Sequence, residues 1–179
     1  MTPAARVYGG SLYDLAASEQ KTEEILGQLG VIRQIFRENP DYIRLLSEPS
    51  IPANEREALI EEVFGQSADR YLVNFMKLLC AKNLMREFGG CCDEFTRKYN
   101  LDNNIAEAVV TSAVPLTEKQ AEALKARLSE ISGKQISLVM RTDPRVLAGI
   151  RVDLEGKQMD GTVKGRLAGL SRIISDINV

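Results

Sequence analysis

The hydrophobic period of the chain changes once, near residue 105. Before that point apolar residues recur every three or four positions, as on one helix face, and beyond it several stretches alternate as strands do. All ten aromatic residues and all three cysteines precede residue 101, and the charge balance changes from −4 in residues 1–104 to +2 in residues 105–179. We therefore predict two units with separate cores, residues 1–104 and residues 105–179.

The first unit has the pattern of an all-α six-helix bundle. Apolar stripes and stop signals predict helices over about 4–19, 21–38, 41–47, 54–64, 71–85 and 91–103. Gly9–Gly10 inside the first helix predicts close packing against another backbone. Asn54 with Glu57 resembles a capping box, and Gly89–Gly90 is expected to separate the fifth helix, the most apolar, from the sixth.

The second unit has the pattern strand–helix–strand–strand–helix, a small α/β unit, so the whole chain is predicted to be α+β. A small and β-branched run over 105–114 predicts the first strand. Thr117 is expected to cap the helix that follows, and Gly133 to end it. Strands are predicted over 135–141 and 146–154, and a closing helix over 163–177.

Catalytic, cofactor-binding and metal sites are not predicted. The chain has no histidine, which removes the commonest general base and the usual imidazole ligand. Its glycine-rich stretches do not spell a phosphate-binding loop, and the cysteines lack C-x-x-C spacing. We expect reduced thiols, with Cys80 in a helix core, and solvated faces for the acidic pairs Glu23–Glu24 and Glu61–Glu62.

The second unit carries a basic cluster without aromatic residues. Its members are Arg141, Arg145, Arg151, Lys164, Arg166 and Arg172. Platforms for single-stranded nucleic acid normally stack bases on aromatic rings, and the net charge of the chain is −2. A surface for an acidic protein helix is therefore favoured over a nucleic-acid partner. An RNA-binding or assembly factor without catalytic activity remains the alternative. No stretch is apolar enough to cross a membrane.

The first and fifth helices allow two interpretations. Their apolar residues can be ordinary core, or the two helices can form a groove for a partner's amphipathic helix. Composition does not separate these interpretations.

Five segments resemble one known family in order and spacing. They are Arg6–Ala16, Phe75–Met85, SAVPLTEKQ at 112–120, ISLVMRTDPRVLAGIRV at 136–152 and MDGTVKGRL at 159–167. Together they resemble the delta subunit of F-type ATP synthase, the counterpart of the mitochondrial oligomycin-sensitivity-conferral protein. Gly9, Ser11, Leu84 and Asp153 depart from the usual pattern.

The resemblance implies a non-catalytic peripheral-stalk subunit, one copy per complex. It would tether the catalytic head to the b-subunit stalk, so that proton-driven rotation is coupled to ATP synthesis. It would lie peripherally on the cytoplasmic side of the bacterial cell membrane, without insertion and without a nucleic-acid partner.

Two partner sites are implied. The groove for the N-terminal helix of an alpha subunit is expected at Tyr8, Ser11, Leu12, Leu15, Leu72, Phe75, Met76 and Leu79. Contacts with the b subunit are expected at Arg145, Arg151 and Arg166. Replacing Leu12 and Leu79 by Asp is expected to abolish alpha-peptide binding without unfolding the protein.

Overall fold

The computed structural model describes residues 1–146 and 149–160. The chain divides into two compact units, Met1–Tyr99 and a second that begins at Asn100. The sequence instead places the boundary after residue 104, beyond the end of the helix that finishes at Asp102. That boundary stays a prediction.

The first unit consists of six α-helices, as the sequence predicts. They are α1 (Pro3–Ser18), α2 (Thr22–Glu38), α3 (Pro40–Leu46), α4 (Ala53–Phe64), α5 (Arg70–Ala81) and α6 (Phe88–Asp102), with a 3-10 turn at Met85–Glu87. Their buried residues form one hydrophobic cluster. Phe36 lies within it and contacts the rings of Tyr42, Phe64 and Phe88 at centroid distances of 5.0 to 5.9 Å.

Two local predictions for this unit are wrong. Gly89 and Gly90 lie inside α6 rather than before it. The chain leaves α5 at Lys82 and turns at Asn83, whose φ of 56° is left-handed; asparagine adopts this conformation more readily than most residues. The capping box at Asn54 does not form either, because α4 already begins at Ala53, after Pro52, and has no side-chain cap.

The prediction of close packing at Gly9 is confirmed. A Cβ placed on Gly9 would lie 2.5 Å from the carbonyl oxygen of Cys91 and 2.9 Å from its Cα. Both contacts are with the backbone of α6, so only glycine allows α1 and α6 to cross at this distance. Gly90, on α6, allows the same close approach, since a Cβ added to it would lie 2.8 Å from Cβ of Ala5 on α1.

The described residues of the second unit form a four-stranded mixed sheet of order β2-β1-β3-β4. Its elements are β1 (Ile105–Ser112), α7 (Glu118–Ser132), β2 (Gln135–Thr142), β3 (Ile150–Leu154) and β4 (Lys157–Asp160). β1 pairs with β2 in parallel through the α7 crossover and with β3 antiparallel. β4, which the sequence analysis did not predict, pairs with β3 across the Glu155–Gly156 turn.

Local signals of this unit agree with the structure. Alternate residues of β1 are buried, from Ala106 to Ser112, as their spacing predicts. Thr117 and Gln120 form a capping box, and Gly133 ends α7 with a φ of 66°. Leu128 is the residue of α7 buried against the sheet, whereas Ile131, three residues further along the helix, is exposed. The predicted closing helix, 163–177, lies outside the described residues.

Candidate functional site

An apolar groove lies between α1 and α5. Its volume is about 290 Å³. The eight residues that line it are Tyr8, Ser11, Leu12, Leu15, Tyr71, Asn74, Phe75 and Leu78. Leu12 and Phe75 are buried and form the floor, while Leu15 and Leu78 remain 39% and 44% exposed at its rim. The groove therefore presents apolar side chains that packing within the unit does not cover.

Among the residues that the structure describes, no charged side chain lines this groove. Its polar groups are two hydroxyls of tyrosine, one of serine and one amide of asparagine, which can bond to a partner at the rim. An uncharged groove with an apolar floor fits the apolar stripe of an amphipathic helix.

The position of α1 follows from contacts at its N-terminus and in its middle. The Thr2 hydroxyl accepts a hydrogen bond from the backbone N–H of Ala5 at 3.1 Å and so caps the helix. The same hydroxyl donates to the Glu87 carboxylate at 2.5 Å, just before α6. Together with the backbone crossing at Gly9, these contacts fix the wall that carries Tyr8 and Leu15.

Asp69 positions the wall that α5 supplies. Its carboxylate accepts a hydrogen bond from the N–H of Tyr71 at 2.8 Å and forms a salt bridge with Lys21. Its own N–H donates to the side-chain oxygen of Gln28, on α2, at 2.7 Å. Burial acts to raise the pKa of Asp69, but the bonds from Lys21 and Tyr71 outweigh it, so the pKa lies below its usual value of 3.8.

Tyr71 lies beside two cations that do not themselves line the groove. The Lys21 ammonium is 5.7 Å from the centroid of its ring, and the Arg70 guanidinium carbon is 5.2 Å from it. Both distances are within the range of cation–π attraction, which favours one orientation of the ring.

The structure brings five of the eight predicted groove residues together: Tyr8, Ser11, Leu12, Leu15 and Phe75. The other three, Leu72, Met76 and Leu79, are completely buried in the core of the bundle and do not line the groove.

Sequence reasoning missed Tyr71, Asn74 and Leu78. These residues and Phe75 are spaced as 71, 74, 75 and 78, a helical stripe next to the core stripe of Leu72, Met76 and Leu79. Two apolar stripes on one helix carry the signal, but periodicity alone does not tell which one faces the core.

The expectation for the double Asp variant fails on the same ground. Leu12 is 3% exposed and Leu79 is fully buried. A carboxylate at either position would lose its hydration without gaining a partner, so this variant would unfold the bundle rather than report on binding.

The three cysteines are free and buried, and Cys80 lies on α5, as the sequence predicts. Burial raises the pKa of Cys91 to about 11 and that of Cys92 to about 12. Their thiols therefore stay protonated at neutral pH and are poor nucleophiles. Within residues 1–146 and 149–160, no three histidine, cysteine, aspartate or glutamate residues are grouped to hold a metal ion.

The predicted arginine contacts of the second unit occupy different settings. Arg145 is exposed in the turn after β2, where its N–H donates to the Asp143 side chain at 2.9 Å. Arg151 is partly buried in β3 and lies level with Thr111 of β1, which has Arg141 opposite it on β2. Arg166 lies outside the described residues.

Comparisons with known proteins agree on one family. The model of the family described as "ATP synthase delta (OSCP) subunit" matches residues 4–174. A relative from Alkaliphilus oremlandii, named ATP synthase subunit delta, is 31% identical over 172 residues, covering 96% of each chain. One of the same name from Lactiplantibacillus plantarum is 29% identical and covers 97% of this chain and 96% of its own.

The fold has a solved counterpart. A chain of the Toxoplasma gondii mitochondrial ATP synthase hexamer, determined by cryo-electron microscopy, superposes with a TM-score of 0.73 at 16% identity. The match covers 97% of this chain and 98% of that one, so the likeness of fold extends over nearly the full length of both.

Proposed function

The chain belongs to the ATP synthase delta (OSCP) subunit family, and from this premise we propose that its α1/α5 groove binds the N-terminal helix of an alpha subunit. The protein itself is a non-catalytic subunit of the F-type ATP synthase and acts in the peripheral stalk. This assignment replaces the RNA-binding alternative.

The apolar groove between α1 and α5 is the observation that supports this proposal. A stator must hold the catalytic head against the torque of the rotor. This requires a strong non-covalent contact and no catalytic residue. Burying the exposed parts of Leu15 and Leu78 under a helix stripe removes apolar surface from water, at about 25 cal/mol per Å². The polar rim at Ser11 and Asn74 supplies hydrogen bonds around that apolar centre.

Binding of a synthetic alpha N-terminal peptide tests this site by calorimetry. Leu15→Asp and Leu78→Asp place a charge on the groove rim at exposed positions, so the fold tolerates them. Each is expected to weaken the peptide's affinity at least ~tenfold, a loss of about 1.4 kcal/mol. Val7→Asp is the matched control, because Val7 is 64% exposed on the same helix and does not line the groove.

Unchanged affinity in both groove variants would refute the site. An equal loss in Val7→Asp would mean that added negative charge, rather than the groove, weakens binding. Circular dichroism of each variant verifies that the bundle remains folded.

We further propose that the second unit contacts the b subunit through Arg145, Arg151 and Arg166. The +2 charge balance of residues 105–179 supports an acidic partner. Arg145→Glu is expected to weaken binding of a C-terminal b peptide, most at low salt. Arg127→Glu on α7, where the side chain is 73% exposed, is the control of equal charge change. Equal effects of both variants would contradict a role specific to Arg145.

Attachment through these two partners would place the protein peripherally on the cytoplasmic side of the bacterial cell membrane. Among the helices of the described residues, none has the length and apolar character that crossing a membrane demands. The proposal predicts that the protein leaves isolated membranes together with the catalytic head when the complex is stripped, which immunoblotting of both fractions tests.

A further inference from the structure

A second groove lies on the first unit, between α2 and the C-terminal part of α4. Its volume is about 600 Å³, twice that of the α1/α5 groove. Ile32 and Phe64 are buried and form its floor. Val31 and Val63 line it from the two sides and remain 62% and 50% exposed. Two large apolar side chains facing one groove are a feature of docking surfaces rather than of isolated surface residues.

In the described part of the chain, the two charged residues that line this groove are both acidic. Glu23 and Glu24 lie at its α2 end and are exposed. Glu23 accepts a hydrogen bond from the Tyr99 hydroxyl at 3.3 Å, and Glu24 accepts one from the Gln28 amide at 3.3 Å. Neither carboxylate takes part in a salt bridge with another described residue. A cationic partner would therefore find two carboxylates available.

Gly27 leaves the α2 wall open. A Cβ at this position would meet no atom within 4 Å, so the packing of the unit does not require a glycine there. In the middle of a helix a glycine costs up to about 1 kcal/mol relative to alanine. Its absent side chain lets an incoming helix approach the backbone between Glu23 and Val31.

We propose that this α2/α4 groove docks a basic amphipathic helix of a partner protein. The apolar stripe of that helix would cover Val31 and Val63, while a lysine or arginine near one end would pair with Glu23 and Glu24. This arrangement is helix-in-groove recognition with charge complementarity at one end.

A second copy of the chain is a poorer occupant. In a two-fold symmetric contact this surface would face the same surface of the other molecule, which would bring four carboxylates into one interface without a cation from the described lining residues. Like charges placed opposite each other disfavour that contact.

Two model peptides of about 18 residues, five helical turns, serve as probes. Both carry the same leucine stripe, one with lysines and the other with glutamates beside it. Calorimetry against the full chain is expected to give an affinity at least ~tenfold higher for the lysine peptide. Equal affinities for the two peptides would overturn the charge assignment.

Two glycine variants locate the binding site. Gly27→Arg fills the groove and adds a like charge, so it is expected to weaken binding of the lysine peptide at least ~tenfold. Gly30→Arg is its match, because Gly30 lies on the same helix, has equal space for a Cβ and does not line the groove. The affinity of Gly30→Arg for the lysine peptide is expected to stay within ~twofold of the wild-type value. Equal losses in both variants would overturn the site.

A second measurement guards against indirect effects. The double variant Glu23→Gln, Glu24→Gln keeps the shape of the groove and is expected to reduce both the affinity and its salt dependence. Amide chemical shifts should move at Gly27, Val31 and Val63 when the lysine peptide binds. Shifts confined to the α1/α5 groove, or sedimentation showing a dimer that Gly27→Arg dissociates, would overturn the proposal. Because Gly27→Arg leaves the α1/α5 groove intact, failure here is distinguishable from failure of alpha-peptide binding.

Discussion

Two adjacent glycines of α1 have different surroundings. An added Cβ at Gly9 collides with the backbone of Cys91, whereas at Gly10 its nearest neighbour is Cε of Lys98 at 3.5 Å, an ordinary contact with a flexible side chain. The spacing of the helices is thus decided at one of the two positions.

Gly9→Ala is expected to destabilise the protein by about 1–3 kcal/mol, because α1 and α6 must move apart. Gly10→Ala is expected to be neutral or to stabilise by up to about 1 kcal/mol through helix propensity. Urea denaturation measures both free energies of unfolding. Equal effects of the two substitutions would show that backbone contact with Cys91 does not set the spacing.

The cysteines of the native protein are expected not to react with thiol reagents. With the pKa of Cys91 near 11 and that of Cys92 near 12, and with all three side chains buried, almost no accessible thiolate exists at pH 8. An aromatic disulfide reagent releases one coloured thiolate for each cysteine that reacts. The native protein should release none rapidly, and the denatured protein should release three equivalents. Rapid release from the native protein would contradict this.

Glu94 is a buried acid that faces a surface arginine. Arg97 donates two hydrogen bonds to its carboxylate, at 2.7 and 2.8 Å, and these hold its pKa below the usual 4.5. A lowered pKa stabilises the folded state above the unfolded-state value, and this stabilisation is lost as the pH falls through the folded-state value.

Glu94→Gln is therefore expected to destabilise the protein at pH 7 and to cost progressively less as the pH falls below about 4.5. Urea unfolding of both proteins at pH 7 and pH 3 measures the difference. A cost that is the same at both values would show that the charge of Glu94 contributes nothing.

At the scale of elements, Asp69 at the N-terminus of α5 joins two helices, α5 and α2. Asp69 caps α5, pairs with Lys21 at the start of α2, and donates its backbone N–H to the side-chain oxygen of Gln28 on the same helix. The wall of the α1/α5 groove thus depends on one capping residue.

Asp69→Ala is expected to cost about 1–2 kcal/mol, because the first turn of α5 loses its cap. Asp69→Asn keeps an oxygen for the cap and loses only the ion pair, so its cost should be smaller. Thermal and urea unfolding compare the two. If Asn cost as much as Ala, the ion pair with Lys21 rather than the cap would be the stabilising contact.

Most elements could be predicted because local signals and tertiary packing agree in them. The capping box at Thr117, the stop at Gly133 and the buried alternation of β1 are examples. Gly89–Gly90 misled because a glycine pair suits both a turn and a close helix contact, and only the position of Ala5 on another helix decides between them.

For the α1/α5 groove, the residues on α1 could be predicted from the sequence, but most of those on α5 could not. Helical spacing identifies the face of α1 that carries Tyr8, Ser11, Leu12 and Leu15. On α5, two apolar stripes lie side by side, and which one is buried depends on the direction from which the other helices of the bundle, α4 above all, approach it. That direction is a property of the assembled bundle, so a single helix does not encode it.

At the scale of the whole molecule, the two units have separate cores. Residues of the first unit form one buried cluster, and residues of β1, α7, β2 and β3 form another. All five tyrosines lie in the first unit and the chain has no tryptophan. Tyrosine fluorescence therefore reports on that unit alone, whereas far-ultraviolet circular dichroism reports on both.

Leu72→Ala is expected to lower the urea midpoint of tyrosine fluorescence, since it opens a cavity in the first core at a cost of about 2–5 kcal/mol. Val110→Ala, which opens a cavity in the second core, should leave that midpoint in place and shift only part of the dichroism transition. Parallel shifts of both signals in both variants would contradict independent cores.

The crossing of α1 and α6 has a consequence for biosynthesis. Thr2 and Glu87, which bond to each other, are 85 residues apart. At elongation speeds of about 5–20 residues per second, the ribosome makes α1 roughly 4–17 s before its packing partner exists. α1 thus leaves the exit tunnel well before the segment of α6 that packs on it. In the interval, its apolar face is open to chaperones.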